Sequence, residues 1–323
     1  MTTAFPAVPS TDAAVVEAQQ TATGLAFVKG HGTENDFVLV VDPDGALDLG
    51  AQRVAALCDR RAGIGADGLI RVVRSERCPD GVSALAEDPQ ADWFMDYRNA
   101  DGSVAEMCGN GIRVLVAHLV QSGLVDVSRL TRQAPLPVGS RGGVKRVYRR
   151  PGGWFAVDMG PWTVVGGGQA IADGYDALVH VPGLDVSRPA LSMDLGNPHT
   201  VVVLSDLDEL EAVDLHRAPE VDPVPVDGTN VELVVALDAE EDAEGPVGRL
   251  AMRVHERGVG ETRSCGTGAC AAAMAARVWA GEGAPNRWRI DVPGGVVEVT
   301  ALAGDRVELA GPAVIVASGT TSL

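Results

Sequence analysis

The chain has 323 residues, long enough for two domains each with its own core, and 46% of them are hydrophobic. Its 44 Asp and Glu against 26 Lys and Arg give a formal net charge of −18, which excludes nucleic acid and anionic membrane surfaces as partners, because both need clustered cations. The five cysteines are odd in number and form no Cys-x-x-Cys pair, so neither a disulfide framework nor a metal site is expected, and a reducing cytoplasm fits best.

Met1 to roughly Thr23 is rich in Ala, Thr, Pro and Gln and reads as a poorly ordered extension. It has neither the basic n-region nor the apolar h-region of a secretory signal. No apolar run reaches the roughly 18 residues of a membrane span. Beyond the extension, strand patterns at Leu25 to Lys29 and Phe37 to Val41 flank the polar turn from His31 to Asp36. A helix is expected over Val54 to Cys58. Gly63-Ile-Gly-Ala-Asp-Gly then reads as a turn, because it leads into a strand at Leu69 to Val73 where a dinucleotide loop would lead into a helix. Ser75 to Asp92 is expected as a polar loop, and Trp93 to Arg98 as a strand. Further strands are expected at Val144–Tyr148, Trp154–Met159, Leu191–Leu195, Thr200–Leu204, Asn230–Ala236, Arg249–His255, Ile290–Val292, Gly295–Thr300 and Val307–Leu309. Asp238 to Gly245 reads as an acidic surface loop. Strands outnumber helices and short Gly/Asp turns join them, which favours an antiparallel-rich α+β design.

Two Cys-Gly-x-Gly elements interrupt this pattern, Cys108-Gly-Asn-Gly and Cys265-Gly-Thr-Gly, and each leads into a helix-like stretch. After the first, Ile112, Leu115, Val116, Leu119 and Val120 recur at helical spacing, and Gly123 follows where a helix would end. After the second, Ala269-Cys-Ala-Ala-Ala-Met-Ala-Ala is small and apolar on every side, as expected of a helix buried all round. The two elements mark a weak internal duplication. Each places a thiol at the positive end of a helix, a setting that lowers a cysteine pKa from about 8.5 to roughly 3.5–7.5, beside N–H groups able to hold a carboxylate.

Two such thiols facing one carbon suit inversion of a stereocentre. One must be a thiolate to remove a proton, and the other a thiol to return one on the opposite face. The glycine-lined helix starts would stabilise the charge that develops as the Cα proton leaves. No lysine stands in a phosphate-cradling context, so no pyridoxal phosphate or other cofactor is expected. Cys58, Cys78 and Cys270 read as small hydrophobes or idle thiols. His199, in the tight turn Gly196-Asn-Pro-His, and the pair Glu256-Arg257, shortly before Cys265, are further site candidates.

Together these residues resemble the diaminopimelate epimerase family over nearly the whole chain after about residue 24. The most specific stretches are Asn35-Asp-Phe, Gly63-Ile-Gly-Ala-Asp, Asn99-Ala-Asp-Gly-Ser with Met107-Cys-Gly-Asn-Gly, Gly196-Asn-Pro-His, Asn230-Val-Glu, and Glu256 through Gly268. The resemblance implies cofactor-independent interconversion of LL- and meso-diaminopimelate, in lysine and peptidoglycan precursor synthesis, with Cys108 and Cys265 as the acid/base pair. It implies that Gly109, Asn110, Gly266 and Thr267 donate to the carboxylate at the reacting centre. Asn35, Asn99, Asn197, Asn230 and Arg257 would read the amino and carboxylate groups, largely at the distal centre, with His199 and Glu256 near the thiols. The implied fold is two pseudo-symmetric mixed domains, each a curled sheet around a central helix with the site in the cleft between them. Residues 24–159 with 310–323 would form one domain, and residues 160–309 the other.

Two positions depart from the family. Gly68 stands where some members place a substrate-contacting glutamine, and Glu308 where some carry a tyrosine linked to dimerisation. A homodimer is still implied. The rival readings are a proline or hydroxyproline racemase of similar fold, which would not need the distal polar cage, and an inactive binding protein on the same scaffold.

Overall fold

In the computed structural model, which describes residues 24–323, one order of strand pairings occurs twice. In the first half Leu25–Gly32 runs antiparallel to Asn35–Val41, which lies parallel to Gly68–Arg74, itself antiparallel to Trp93–Asn99. The first central helix, Gly109–Gln121, follows. Leu136–Gly139 then returns parallel to Trp93–Asn99 and continues into the antiparallel strands Lys145–Arg149 and Phe155–Pro161. In the second half Arg188–Asp194, Pro198–Val203, Asn230–Asp242 and Gly245–Glu256 repeat the antiparallel, parallel, antiparallel series. The second central helix, Gly266–Ala280, is followed by Arg287–Val292, parallel to Gly245–Glu256, and by Gly295–Leu302 and Arg306–Gly311. The duplication signalled by the two Cys-Gly-x-Gly elements is therefore a duplication of topology.

The halves are stitched at two levels. Arg306–Gly311 pairs antiparallel with Phe155–Pro161. The strand after each half also pairs with the opening strand of the other: Thr163–Val164 joins Arg188–Asp194, and Val314–Thr321 joins Leu25–Gly32.

Side-chain alternation along each strand sends neighbours to opposite faces. Phe37, Leu39, Ile70 and Val72 point to the central helix residues Ile112, Leu115 and Leu119, while Val38, Val40 and Leu69 pack on Val54 and Leu57 of the helix Ala51–Cys58. With both faces covered, these strands carry continuous apolar runs. The second central helix is Ala-rich and buried from Gly268 to Ala276, which lets the strands approach it closely. Each fully buried Val, Leu or Ile contributes about 1.5–3 kcal/mol.

Two expectations require correction. Ser75 to Asp92 contains a helix, Gly81–Glu87, seated on its buried Ala84. The acidic stretch after Asp238 is no loop but the far end of a long hairpin between Asn230–Asp242 and Gly245–Glu256. Glu240 is held there by Arg249 at 2.9 Å and Arg289 at 2.7 Å, and Asp242 pairs with Arg287. The strand Val314–Thr321, mostly exposed, was not expected. The proposed N-terminal extension lies outside the described residues. No helix among the described residues is long and apolar enough to cross a membrane.

Candidate active site

Each Cys-Gly-x-Gly cysteine is the N-cap of its central helix. The Gly111 N–H donates to the Cys108 Sγ at 3.4 Å, and the Gly268 N–H donates to the Cys265 Sγ at the same distance. Both thiols are thus held by one of the N–H groups that a helix start leaves unpaired.

The two helix starts abut. A Cβ placed on Gly266 would lie 3.5 Å from the Gly109 Cα and 3.6 Å from the Asn110 N. A Cβ on either Gly109 or Gly266 would come within 2.9 Å of the Leu309 Cδ2, so both positions must be glycine for the helices to meet. Each start carries about half a positive charge, and bringing two together is unfavourable until an anion lies between them.

A polar web ties the halves at this junction. The Asn110 Nδ2 donates to the Asn35 Oδ1 at 3.2 Å and to the Ser264 carbonyl at 3.2 Å, and the Ser264 hydroxyl lies 2.6 Å from that of Thr33. Arg113, fully buried in the first central helix, donates to the Asn110 Oδ1 at 2.6 Å. Gly32 and Gly311 leave room for its guanidinium, since a Cβ on Gly311 would sit 2.3 Å from its Nη1. Asp67 orients Asn35 by accepting from its Nδ2 at 2.8 Å, and Arg60 binds both Asp67 and Asp36. The turn around Gly63 therefore serves the site through Asp67. With its Nδ2 so committed, Asn35 turns its Oδ1 to Cys108, whose S–H donates at 3.6 Å.

Around the second thiol, the Thr267 hydroxyl lies 3.6 Å from the Cys265 Sγ and accepts from the Asn197 Nδ2 at 3.3 Å. His199 is buried, with Nδ1 2.7 Å from the Glu232 Oε1. The Asn230 Oδ1 accepts from the Arg257 N–H at 2.9 Å, and its Nδ2 donates to the Pro198 carbonyl at 3.1 Å. Glu256 accepts from the Thr262 hydroxyl, and its charge reaches both thiols.

The remaining candidates stand further out. Asn99 bonds Ser103 at 2.9 Å beside Gly68. The Arg257 guanidinium is exposed and donates to the Asp227 carbonyl at 2.5 Å. It forms no ion pair among the described residues, and it borders a cavity of about 740 Å³ with Thr229, Gly228 and His255. Gly68 has a steric reason: a Cβ there would meet the Tyr97 ring at 2.6 Å. The Arg98 carbonyl, 2.5 Å away, blocks the same position, and burial pushes the Tyr97 hydroxyl well above its usual pKa. Glu308 is buried, bonded to the Tyr148 hydroxyl at 2.9 Å and to Arg132 at 2.8 Å.

The expected lowering of the thiols does not hold. Burial pushes Cys108 up to about 11, against the opposing pull of the Gly111 and Asn110 N–H groups, and Glu256 adds to the rise. Cys265 is raised well above its usual value by burial, then by Glu256 and Glu232. Removal from water outweighs the helix ends here.

Glu232, Tyr97, Arg113, Asp67 and Ser264 escaped the sequence reading. Asp67, Glu232 and Ser264 stood there only within stretches specific to the family, with no role given to them.

The doubled topology with paired cysteine caps defines an α+β class of two-half proteins. A phenazine biosynthesis protein of the PhzF family from Bacillus anthracis superposes with a TM-score of 0.59 at 17% identity, covering 92% of this chain and 98% of that one. A hydroxyproline epimerase from Agrobacterium vitis superposes at 0.55 and 15% identity, covering 91% of each. These likenesses concern the fold alone. The chain itself belongs to the diaminopimelate epimerase family, whose profile matches residues 27–165 and 191–316. The diaminopimelate epimerase of Streptomyces coelicolor is 48% identical over 304 residues, 92% of this chain and 95% of that one. That of Thermobifida fusca is 48% identical over 301 residues, 93% and 98% of the two chains.

Proposed function

We propose that this chain interconverts LL- and meso-diaminopimelate without a cofactor, by proton transfer between Cα and the thiols of Cys108 and Cys265. The observation that carries the reading is the meeting of two cysteine-capped helix starts across Gly109 and Gly266. A substrate carboxylate seated there lies between two positive helix ends, beside Gly109, Asn110, Gly266 and Thr267, with a sulfur belonging to each helix. One sulfur accepts the Cα proton and the other returns one, and the helix ends stabilise the enediolate-like charge. A bound α-ammonium would add a cation beside the buried thiols.

Asn35, Asn99, Asn197, Asn230 and Arg257 read the amino and carboxylate groups, with His199 and Glu256 beside the reacting centre. The exposed Arg257 fork suits the distal carboxylate. The two halves act as domains, residues 24–159 with 310–323 and residues 160–309, and the protein works as a cytoplasmic homodimer. A proline-type racemase is disfavoured because a substrate with a single carboxylate leaves the Arg257 fork unused.

The test is epimerisation of LL-diaminopimelate in D2O without added cofactor, with L-proline alongside. Product should carry deuterium at Cα while recovered substrate stays initially unlabelled, because the abstracting thiol can return its original proton. Cys108→Ser and Cys265→Ser should each remove most activity. Equal early labelling of substrate and product would instead indicate a single exchanging base, and turnover of L-proline alone would refute the substrate assignment.

A further inference from the structure

The duplicated topology allows the two thiols to be compared residue by residue. Phe37 pairs with Gly68 in the first half as His199 pairs with Asn230 in the second. Two residues further along the second strand, Ile70 and Glu232 are therefore equivalent. Both face their central helix at the turn that carries the thiol. A Cβ on Gly111 would meet the Ile70 Cδ1 at 3.0 Å and the Phe37 Cε1 at 3.5 Å, whereas one on Gly268 would meet the Glu232 Oε1 at 2.6 Å and the Cys265 Sγ at 3.2 Å. Cys108 thus rests over an apolar pair, and Cys265 over a buried histidine and carboxylate.

A buried acid in place of an isoleucine is costly unless it has a use. Glu232 and His199 are shut off from water, and beyond their mutual bond the Glu232 Oε2 and the His199 Nε2 have no partner among the described residues. The 2.7 Å contact fixes the imidazole ring against the carboxylate.

We propose that Glu232 is a positioning residue that makes the two thiols unequal, holding the proton on Cys265 so that the abstracting thiolate forms at Cys108. The proposal rests on the epimerase reading above. The ionisable groups that act on Cys265 are Glu232 from Asn230–Asp242 and Glu256 from Gly245–Glu256, with His199 from Pro198–Val203 bonded to Glu232. The other strands packed on this helix contribute Leu191, Met193, Ile290, Val297, Val299 and Leu309. On the Cys108 side the Glu256 carboxylate raises the thiol as it does at Cys265, the buried Arg113 cation pulls the other way, and no carboxylate stands in the place of Glu232. In one direction of the interconversion, the Cys108 thiolate takes the Cα proton and becomes a thiol, and Cys265 delivers its own proton to the opposite face and becomes a thiolate; the reverse direction starts from the opposite protonation state. A proton must then pass from Cys108 to Cys265 through solvent to reset the pair, and the Glu232 carboxylate favours that direction.

The test is Glu232→Gln, which keeps the shape and removes the charge. Cys108 and Cys265 are alkylated with iodoacetamide between pH 7.5 and 9 and scored separately by peptide mass spectrometry, as a general design for thiols of this kind. A charge within about 4–6 Å moves a pKa by roughly 1–3 units, so the Cys265 rate should rise about tenfold or more with Cys108 changed by less than about twofold. The kcat should fall about tenfold with KM nearly constant, and Glu232→Asp should move both readouts back toward the parent. A purely structural role would speed both thiols together. An unchanged Cys265 to Cys108 ratio in a folded Glu232→Gln protein overturns the proposal. Should that variant not fold, Gly268→Ala displaces the carboxylate without removing it, and an unchanged ratio there is equally decisive. The parent protein's ability to epimerise diaminopimelate is measured separately, so failure of the function and failure of the asymmetry are distinct results.

Discussion

Gly266→Ala tests the closeness of the two helix starts. The new methyl would lie 2.9 Å from the Leu309 Cδ2 and 3.5 Å from the Gly109 Cα, and Leu309 is fully buried. Overpacking of this kind costs about 1–3 kcal/mol, while replacing Gly with Ala in a helix returns up to about 1 kcal/mol. The net loss, about 1 kcal/mol, should lower Tm by only a few degrees. Activity should respond far more strongly, because the clash is relieved by moving the helix starts apart, and a displacement approaching 1 Å at a reacting centre costs about 100-fold. The assay pairs thermal unfolding with kcat/KM for Gly266→Ala, Leu309→Val and the double variant. Leu309→Val retracts the obstructing branch, so the double variant should recover activity beyond the product of the single effects. A Gly266→Ala protein with parental kcat/KM and Tm would refute the claim that glycine is required for the helices to meet.

Three further outcomes follow from the geometry. Burial raises Cys58 to about 11 from an ordinary 9.0, and raises Cys270 as well. The folded state therefore keeps protons that the unfolded chain releases, and stability should fall as pH rises above about 8.5, by up to roughly 1.4 kcal/mol per unit per thiol. Thermal unfolding between pH 7 and 10 checks this, and Cys58→Ala should flatten the slope. Arg257→Ala should raise KM for diaminopimelate about tenfold or more through the lost distal carboxylate contact, with Tm nearly unchanged because the side chain is exposed; an unaltered KM removes Arg257 from substrate reading. Asp67→Ala releases the Asn35 amide and Arg60 together, and should lower kcat about tenfold, measured against an unchanged far-UV spectrum.

What the sequence disclosed and what it hid divide along physical lines. The cysteine caps were legible because capping is local: the thiol, the glycines and the apolar period lie within one short stretch. Most strands were legible because burial on both faces wrote continuous apolar runs. The acidic end of the long hairpin was hidden, since its partners Arg287 and Arg289 lie more than forty residues further along the chain. Glu232 stood in the sequence only as the last residue of Asn230-Val-Glu, and register against Pro198–Val203 is what turns it inward. Arg113 sat within a helical repeat that gave no sign of the space left by Gly32 and Gly311. The direction of the thiol shifts was missed for the same reason: helix ends can be read from spacing, but exclusion of water cannot.

The exchange of strands between the halves has a consequence for synthesis. Leu25–Gly32 takes its outer neighbour from Val314–Thr321, so a nascent chain exposes that edge until nearly all the described residues have been made. At about 5–20 residues per second this interval is on the order of 15 to 60 s. An open strand edge is a template for pairing with other chains, so the closing strand also ends the period in which one newborn copy can capture another. A ribosome stalled before residue 314 would leave the first half open in that way, even with Cys108 already capping its helix.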